Sequence, residues 1–360
     1  MGPTFALLPA DKTSNIPTVI PPLLTDTPPV ISVAIPTYNR AQRLQDTLER
    51  LGRHPEFMDP RIEVVISDNA STDATSAVVT SFADRTGKAI RFRRNPTNQG
   101  IDGNIHAVSR LATGRYLLLM SDDDLLLPGA LGHLLKMVDD TPSLLFCFVN
   151  GGSFTGRYDP AATLPPLVPL QAPLYTDDPN ELLTTIGVWS TFISSFFVER
   201  QAWLNVPNAE AFIGSDIYLT HVLFRLLARE RPRPSSVTAT QWLAARAEYT
   251  GSFRVFHAFG HSLLKLLTHD APAIGLDPAA MRRIKLQIIR RALPPMVLMV
   301  RSLEGRPRAL VAPELLSLLR YTWREPLAWV FLLPVALLPL PVLQRLMRFK
   351  RKLLKRSVFA

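Results

Sequence analysis

Three consecutive carboxylates, Asp122-Asp123-Asp124, close the apolar run RYLLLMS (115–121). Like charges held this close raise one another's pKa, so a bare triplet at the tip of a buried strand is costly. A divalent cation removes that cost, and hard oxygen ligands with few other donors nearby suit Mg2+ or Mn2+. Magnesium held by one or two carboxylates completes its shell with substrate phosphates, which points to a phosphorylated donor. The same three residues also fit a plain acidic turn capping a helix that begins at Pro128, since Asp is a favoured N-cap.

Three more polar clusters occupy equivalent places. Pro36-Thr37-Tyr38-Asn39 follows VISVAI (30–35), Ser67-Asp68-Asn69-Ala70-Ser71 closes IEVVIS (62–67), and Asn95 to Gly100 follows IRFRR (90–94). Helical stretches are expected from Arg40 to about Leu51, from near Asp73, around 101–111 and from Pro128 to about Met137. SLLFCFV (143–149) and WSTFISSFFVER (189–200) read as further strands, 151–180 as a long loop or lid, and 215–229 as a helix opened by Ser215 or Asp216. Short apolar strands alternating with helices predict an α/β fold, a parallel sheet with helices on both faces. In such sheets ligands sit beyond the carboxyl ends of the strands, where all four polar clusters fall.

Composition narrows the class. The 360 residues are 47% hydrophobic, ordinary for a globular protein, so neither a polytopic transporter nor a disordered chain fits. A single cysteine, Cys147 in an apolar strand, excludes a disulfide framework and a cysteine zinc site and makes a reducing cytosol the expected compartment. The net charge of +10 is unevenly spread: residues 1–249 carry 21 basic and 25 acidic side chains, residues 251–360 carry 19 and 5. Such a basic third implies an anionic partner, either nucleic acid or membrane headgroups.

The ordered set PTYNR (36–40), SDNASTD (67–73), NQG (98–100) and SDDDLLLPGAL (121–131) resembles the family 2 glycosyltransferases of the GT-A fold over roughly residues 30–230. The stretch from NQGIDGNI to SDDDLLLPG is similar to bacterial enzymes that build O-antigen and other surface polysaccharides, abequosyltransferase-like members included. The resemblance implies a Rossmann-like nucleotide-binding sheet and an inverting transfer of sugar from a nucleotide-diphosphate sugar. The implied acceptor is a lipid-linked or other saccharide. Pro36, Thr37 and Tyr38 would line the nucleotide pocket, Asp68 would bond the base or ribose, and Asn69 would shape the turn. Asn98 and Gly100 would let the chain approach the nucleotide, helped by Asp102 or Asn104. Asp122 would face the ribose or the metal, Asp123 would bind the metal, and Asp124 stays in the ligand set because Ser121 replaces the usual first Asp. The acceptor's base is expected at the start of a helix after this motif, which selects Asp216, with helix capping as its plain alternative and Glu210 as the nearest substitute. A nucleotidyltransferase, or an inactive membrane-bound scaffold, would share much of the same pattern.

Trp189 and Trp242 could stack on a sugar or fill core. His257 and His261, four residues apart, would share one helical face and could bind a metal, but no third ligand lies near them, so no metal site is expected there. Residues 1–29 contain seven prolines and predict a flexible or PPII-like arm. A catalytic domain is expected over 30–250, with a nucleotide-sugar half at about 30–150 and an acceptor half at about 151–250, then a helical basic region over 251–360. There PLAWVFLLPVALLPLPVLQ (326–344) carries no charge and precedes RLMRFKRKLLKR, with seven basic residues. Its prolines oppose a simple span, so a segment dipping into an anionic membrane is expected, placing the protein peripherally at the inner face of the cell membrane. Nucleic acid is not expected, because the basic residues adjoin aliphatic runs instead of aromatic stacking platforms.

Overall fold

A computed structural model describes residues 28–248, 254–302, 310, 312–343 and 345. The N-terminal arm up to residue 27 and the basic run after Arg345 lie outside the described residues. The first half alternates as the sequence pattern requires. It runs β1 (Ile31–Thr37), α1 (Ala41–Leu51), β2 (Ile62–Asp68), α2 (Thr75–Thr86), β3 (Ile90–Arg94), α3 (Gly100–Leu111), β4 (Tyr116–Leu119), β5 (Leu125–Leu126) and α4 (Ala130–Asp140). Then come β6 (Phe146–Phe148), β7 (Gly151–Phe154), β8 (Leu174–Thr176), α5 (Pro179–Ile186), β9 (Phe196–Glu199), α6 (Arg200–Leu204), α7 (Tyr218–Glu230), β10 (Ser235–Val237) and β11 (Leu243–Arg246).

Eight strands form one sheet in the order β3-β2-β1-β4-β9-β6-β10-β8, and β5-β11-β7 form a small second sheet. Strands β1 to β4 are mutually parallel, whereas β9 runs antiparallel between β4 and β6, and β8 antiparallel to β10. The sheet is therefore mixed where the alternation predicted a parallel one. Side chains alternate across it with period two. Val33, Ile35, Val64, Ile66 and Leu118 pack with Leu44 and Leu48 of α1, Val79 of α2 and Leu134 of α4. Ala34, Val65, Leu117 and Leu119 pack on the other face with Val108 of α3, Leu182 of α5 and Phe224 of α7. Each buried Leu contributes about 1.5–3 kcal/mol, so these two layers fix the strand ends firmly.

The stretch 151–180, expected as a long loop or lid, carries β7 and β8, and three further elements differ from their sequence expectations, each for a local reason. The strand expected over 189–200 is only Phe196–Glu199, because 187–195 coil into short 3-10 turns in which Thr191 Oγ1 bonds back to the Val188 carbonyl and Ser194 Oγ donates to Asp124. The helix expected from Pro128 starts at Ala130, after Gly129 takes a left-handed φ of 85°. The helix expected at Ser215 or Asp216 starts at Tyr218, since Asp216 itself is left-handed with φ 63° and no L-residue helix passes through that conformation.

Residues 254–302 and 312–343 are mostly helical, and their apolar side chains, from Val255 through Leu332 and Ala336, join the same core cluster as Leu117 and Phe146. Three wide π-type segments, Leu266–Asp270, Ile288–Ala292 and Ala328–Leu332, each end two residues before a proline: Pro272, Pro294 and Pro334. A proline ring clashes with the carbonyl four residues back, and widening that turn relieves it. The fourth, Phe256–Ser262, has no such proline after it. No helix among the described residues is long and apolar enough to cross a membrane.

Candidate active site

The order β3-β2-β1-β4 reverses direction at β1, so a crevice opens beyond the carboxyl ends of β1 and β4. A cavity of about 320 Å³ lies there, lined by Pro36, Thr37, Tyr38 and Arg40 after β1, Asn69 after β2, Asn98, Gly100, Ile101 and Asn104 around the start of α3, Ser121 and Asp122 after β4, and Ile193. Six sequence-selected binding residues thus share it with Asp122: Pro36, Thr37, Tyr38, Asn69, Asn98 and Gly100. Gly100 has φ 72°, a conformation that only glycine adopts freely, and it starts α3 against the cavity.

A net of amides stitches the strand ends together. Asn69 Nδ2 donates to Asn98 Oδ1 at 2.7 Å and to the Gly100 carbonyl at 3.1 Å, while its Oδ1 accepts from the Gln99 N–H at 2.9 Å. Asn104 Nδ2 donates to the carbonyls of Thr37 and Ser67, and its Oδ1 accepts from Ser67 Oγ and Asn95 Nδ2. Asp68 lies behind this wall, fully buried. Its Oδ1 accepts from the Ser71 N–H, and its Oδ2 is 3.6 Å from Arg94 Nε. Asp68 is not among the residues that line the cavity.

The acidic triplet splits. Thr37 Oγ1 donates to Asp122 Oδ2 at 2.7 Å, and Arg40 Nη1 donates to Asp122 Oδ1 at 2.9 Å and to Asp123 Oδ2 at 3.1 Å. Arg43 adds a longer contact to Asp123, and Ser121 Oγ donates to Asp123 Oδ1. Burial pushes the Asp122 carboxyl up, and the Arg40 guanidinium opposes that shift. Asp124 turns the other way: it accepts from Ser194 Oγ at 2.5 Å and from the Arg246 N–H at 2.8 Å, and burial, reinforced by Asp123, pushes it up to about 7. Asp124 is thus a buried tie between β4, β11 and the 194 turn. Asp122 and Asp123 converge on one cationic nitrogen, and two hard oxygens converging on a point of positive charge fit a divalent cation whose other ligands are phosphate oxygens and water. No third His, Cys, Asp or Glu joins them among the described residues.

The candidate base sits on the far side of α3. Asp102 points away from the cavity: its Oδ2 accepts from the N–H groups of Gly214 (2.9 Å) and Asp216 (2.8 Å), and its Oδ1 from that of Tyr218 (3.2 Å). This holds the left-handed Asp216 turn against the helix that lines the pocket. Asp216 is bridged by Arg254, Nε to Oδ2 at 2.9 Å and Nη2 to Oδ1 at 3.1 Å, and His257 Nδ1 lies 3.0 Å from Oδ2. Glu210 is exposed, 3.4 Å from His106 Nε2. Trp189 packs on Phe192 and Trp242 stacks on His133, and neither lines the cavity. Cys147 is buried in β6.

Arg40, Ile193, Arg254 and His257 were not given site roles by sequence reasoning. Arg40 had a signal, since it ends the PTYNR cluster. Arg254 and His257 had none, because 38 and 41 residues separate them from Asp216.

A family model described as glycosyl transferase family 2 matches residues 32–198. Abequosyltransferase RfbV of Salmonella typhimurium is 30% identical over 204 residues, 52% of this chain and 57% of that protein. The GalNAc(5)-diNAcBac-PP-undecaprenol beta-1,3-glucosyltransferase of Campylobacter jejuni is 30% identical over 112 residues, 31% of this chain and 35% of that one. The matched region therefore spans less than two thirds of either relative. Among solved structures, Staphylococcus aureus TarS 1–349 in complex with UDP-GlcNAc matches with TM-score 0.56 and 15% identity over 81% of this chain and 79% of that one. Mannosyltransferase PcManGT from Pyrobaculum calidifontis in complex with GDP-Man and Mn2+ matches with TM-score 0.50 and 17% identity over 86% of each chain. At such identities the likeness is one of fold.

Proposed function

We propose that this chain, whose residues 32–198 match glycosyl transferase family 2 and whose fold is GT-A, moves a sugar, with inversion, from a nucleotide-diphosphate sugar to a lipid-linked saccharide. The observation that carries the reading is the cavity at the β1–β4 switch, with the Asp122 and Asp123 carboxylates converging at its edge. Tyr38, 41% exposed over that cavity, offers a ring for the base, and Asn69 and Asn98 fix the wall beside it. Asp122 and Asp123 would hold Mg2+ or Mn2+, which stabilises the charge that develops on the departing diphosphate. Arg40 holds the two carboxylates now, and its guanidinium is placed to turn toward a diphosphate. Proton removal from the acceptor falls to the Asp216 side of α3, a contribution of about 10²–10⁴ in rate for a well-placed base.

The membrane-linked acceptor is supported by the surface of the C-terminal helices and by the undecaprenol-linked substrate in the name of one relative. Trp323, Trp329, Val330, Leu337 and Val342 are exposed, with the Arg324 guanidinium over the Trp323 ring and Arg290 over Phe331. Apolar side chains beside cations are the composition that docks on an anionic leaflet, peripherally and on the side where the sugar nucleotide is made. Incubation with nucleotide sugars and a lipid-linked saccharide fraction, with products read by mass spectrometry and anomeric configuration by NMR, tests the reading. Transfer with inversion supports it. Nucleotide release without a glycosylated product, or a retained anomer, contradicts it.

A further inference from the structure

We propose that Arg40 is the site's own counter-cation: its guanidinium and a divalent cation compete for the same two oxygens of Asp122 and Asp123, and the side chain, once displaced, moves onto the donor's diphosphate; this rests on the glycosyl-transfer reading above. The four carboxylate oxygens fall into two pairs. Thr37 Oγ1 donates to Asp122 Oδ2 at 2.7 Å and Ser121 Oγ to Asp123 Oδ1 at 2.6 Å, so one oxygen of each carboxylate is tied to a neutral hydroxyl. The other two, Asp122 Oδ1 and Asp123 Oδ2, both face Arg40 Nη1, at 2.9 and 3.1 Å. These are the oxygens left for a hard cation to take. Metal and guanidinium want the same lone pairs, and their like charges oppose sharing them at close range. The ties to Thr37 and Ser121 do not involve Arg40, so both carboxylates keep their place when it leaves.

The backbone confines this exchange to the side chain. Asn39, left-handed at φ 51°, donates its N–H to Ser71 Oγ at 2.8 Å, and the Ala41 N–H donates to Asp73 Oδ2 at 2.9 Å. The chain on either side of Arg40 is thus pinned to the turn after β2, and the Arg40 carbonyl accepts from the Leu44 N–H of α1. Beyond that fixed root the side chain is 25% exposed and lines the same cavity as Thr37, Tyr38 and Asp122. A guanidinium there offers a diphosphate a planar fork of donors that matches phosphate oxygens. Arg43, one turn along α1, is placed differently. It lies 3.4 Å from Asp123 and 3.4 Å from Glu248, makes no ion pair with Asp122, and does not line the cavity. A metal binding alone must break the Arg40 ion pairs, and a nucleotide binding alone must draw Arg40 out of them. Whichever comes second finds the pairs already broken, so each raises the affinity of the other.

Binding of Mn2+ to the full chain without any donor, followed by electron paramagnetic resonance of the free ion, tests this with no turnover required. Arg40→Gln should bind Mn2+ at least about tenfold more tightly than wild type, and Arg40→Lys, which keeps the competing charge, should stay within about threefold of it. Arg43→Gln, which removes a charge of the same sign from the longer contact, should tighten binding by less than about threefold. A readout on the wild-type chain does not depend on how a variant folds. Phenylglyoxal modification of Arg40, mapped by mass spectrometry, should run faster with saturating Mn2+ and slow again with whichever of UDP, GDP, CDP and dTDP binds. Mn2+ affinity in Arg40→Gln within about threefold of wild type overturns the assignment. So does a gain in Arg43→Gln equal to that in Arg40→Gln, which would make the effect one of net charge, or an Arg40 modification rate indifferent to Mn2+. Mn2+ that binds none of these chains, with or without a nucleoside diphosphate, overturns the donor-site reading itself, a failure seen in the wild-type chain before any variant is compared.

Discussion

Removing the Asp102 carboxylate should loosen the turn that holds Asp216 and disable catalysis while donor binding survives. Asp102 is buried, and its two oxygens accept three backbone N–H groups, from Gly214, Asp216 and Tyr218, at 2.9, 2.8 and 3.2 Å. Hydrogen bonds to a charged acceptor contribute about 1.5–3 kcal/mol each. Water re-solvates part of an opened turn, so Asp102→Ala should lose about 3–5 kcal/mol in total, the range seen when one partner of a buried charged network is removed. Asp102→Asn keeps one acceptor oxygen and turns an NH2 toward a former donor, a loss of about 1–3 kcal/mol. The pH dependence adds a second check. Burial holds the Asp102 carboxyl above its ordinary range, so the folded state binds more protons than the unfolded one as this group titrates. Its contribution to stability is therefore present at low pH and lost as pH rises through the raised pKa. The gap between wild type and Asp102→Asn, which lacks the titration, should narrow from pH 4 upward. Urea unfolding at several pH values measures both effects, with kcat and donor Kd from the same preparations. An Asp102→Ala protein within 0.5 kcal/mol of wild type, with kcat unchanged, would show that the turn holds itself and the reasoning is wrong.

Asp123→Ala should abolish metal-dependent turnover with little change in melting temperature, since its half-buried side chain lies outside the apolar core and no core volume is lost; wild-type metal dependence of activity in the variant contradicts the proposed ligand role. Asp216→Asn should lower kcat by about 10²–10⁴ with nucleotide-sugar Kd unchanged, measured by steady-state kinetics and calorimetry; unaltered kcat would make Asp216 a structural turn residue. Trp323→Glu combined with Trp329→Glu should remove flotation with anionic liposomes while leaving stability intact, because both side chains are more than half exposed. Flotation unchanged in the double variant assigns the contact to another surface. Wild-type binding should fall but persist in high salt, as an inserted apolar group resists screening.

The strand–helix alternation was legible because it is a local pattern: Val33, Ile35, Val64 and Ile66 carry it in their own spacing. So were the cavity residues next to those strands, since a parallel sheet brings every β1–β4 carboxyl end to one edge. What the pattern does not encode is direction. Nothing in FFVE reveals that β9 inserts antiparallel between β4 and β6, a choice made by the long connection before it. Side-chain orientation within a triplet was equally silent, and only the positions of Ser194 and the Arg246 N–H show that Asp124 faces inward. The Asp216–Arg254–His257 cluster joins residues about 40 apart across a turn whose left-handed φ no propensity predicts.

The proposed transfer requires that the cavity beyond β1 and β4 take a nucleotide-diphosphate sugar through Asp122 and Asp123. Calorimetric titration of the purified chain with UDP, GDP, CDP and dTDP sugars, each with and without Mn2+, tests it most directly. One nucleotide class should bind at micromolar concentration with Mn2+ present and at least tenfold more weakly without it. Asp123→Ala should erase the difference. No heat of binding from any of the four, or binding that is indifferent to both Mn2+ and Asp123, would contradict the account.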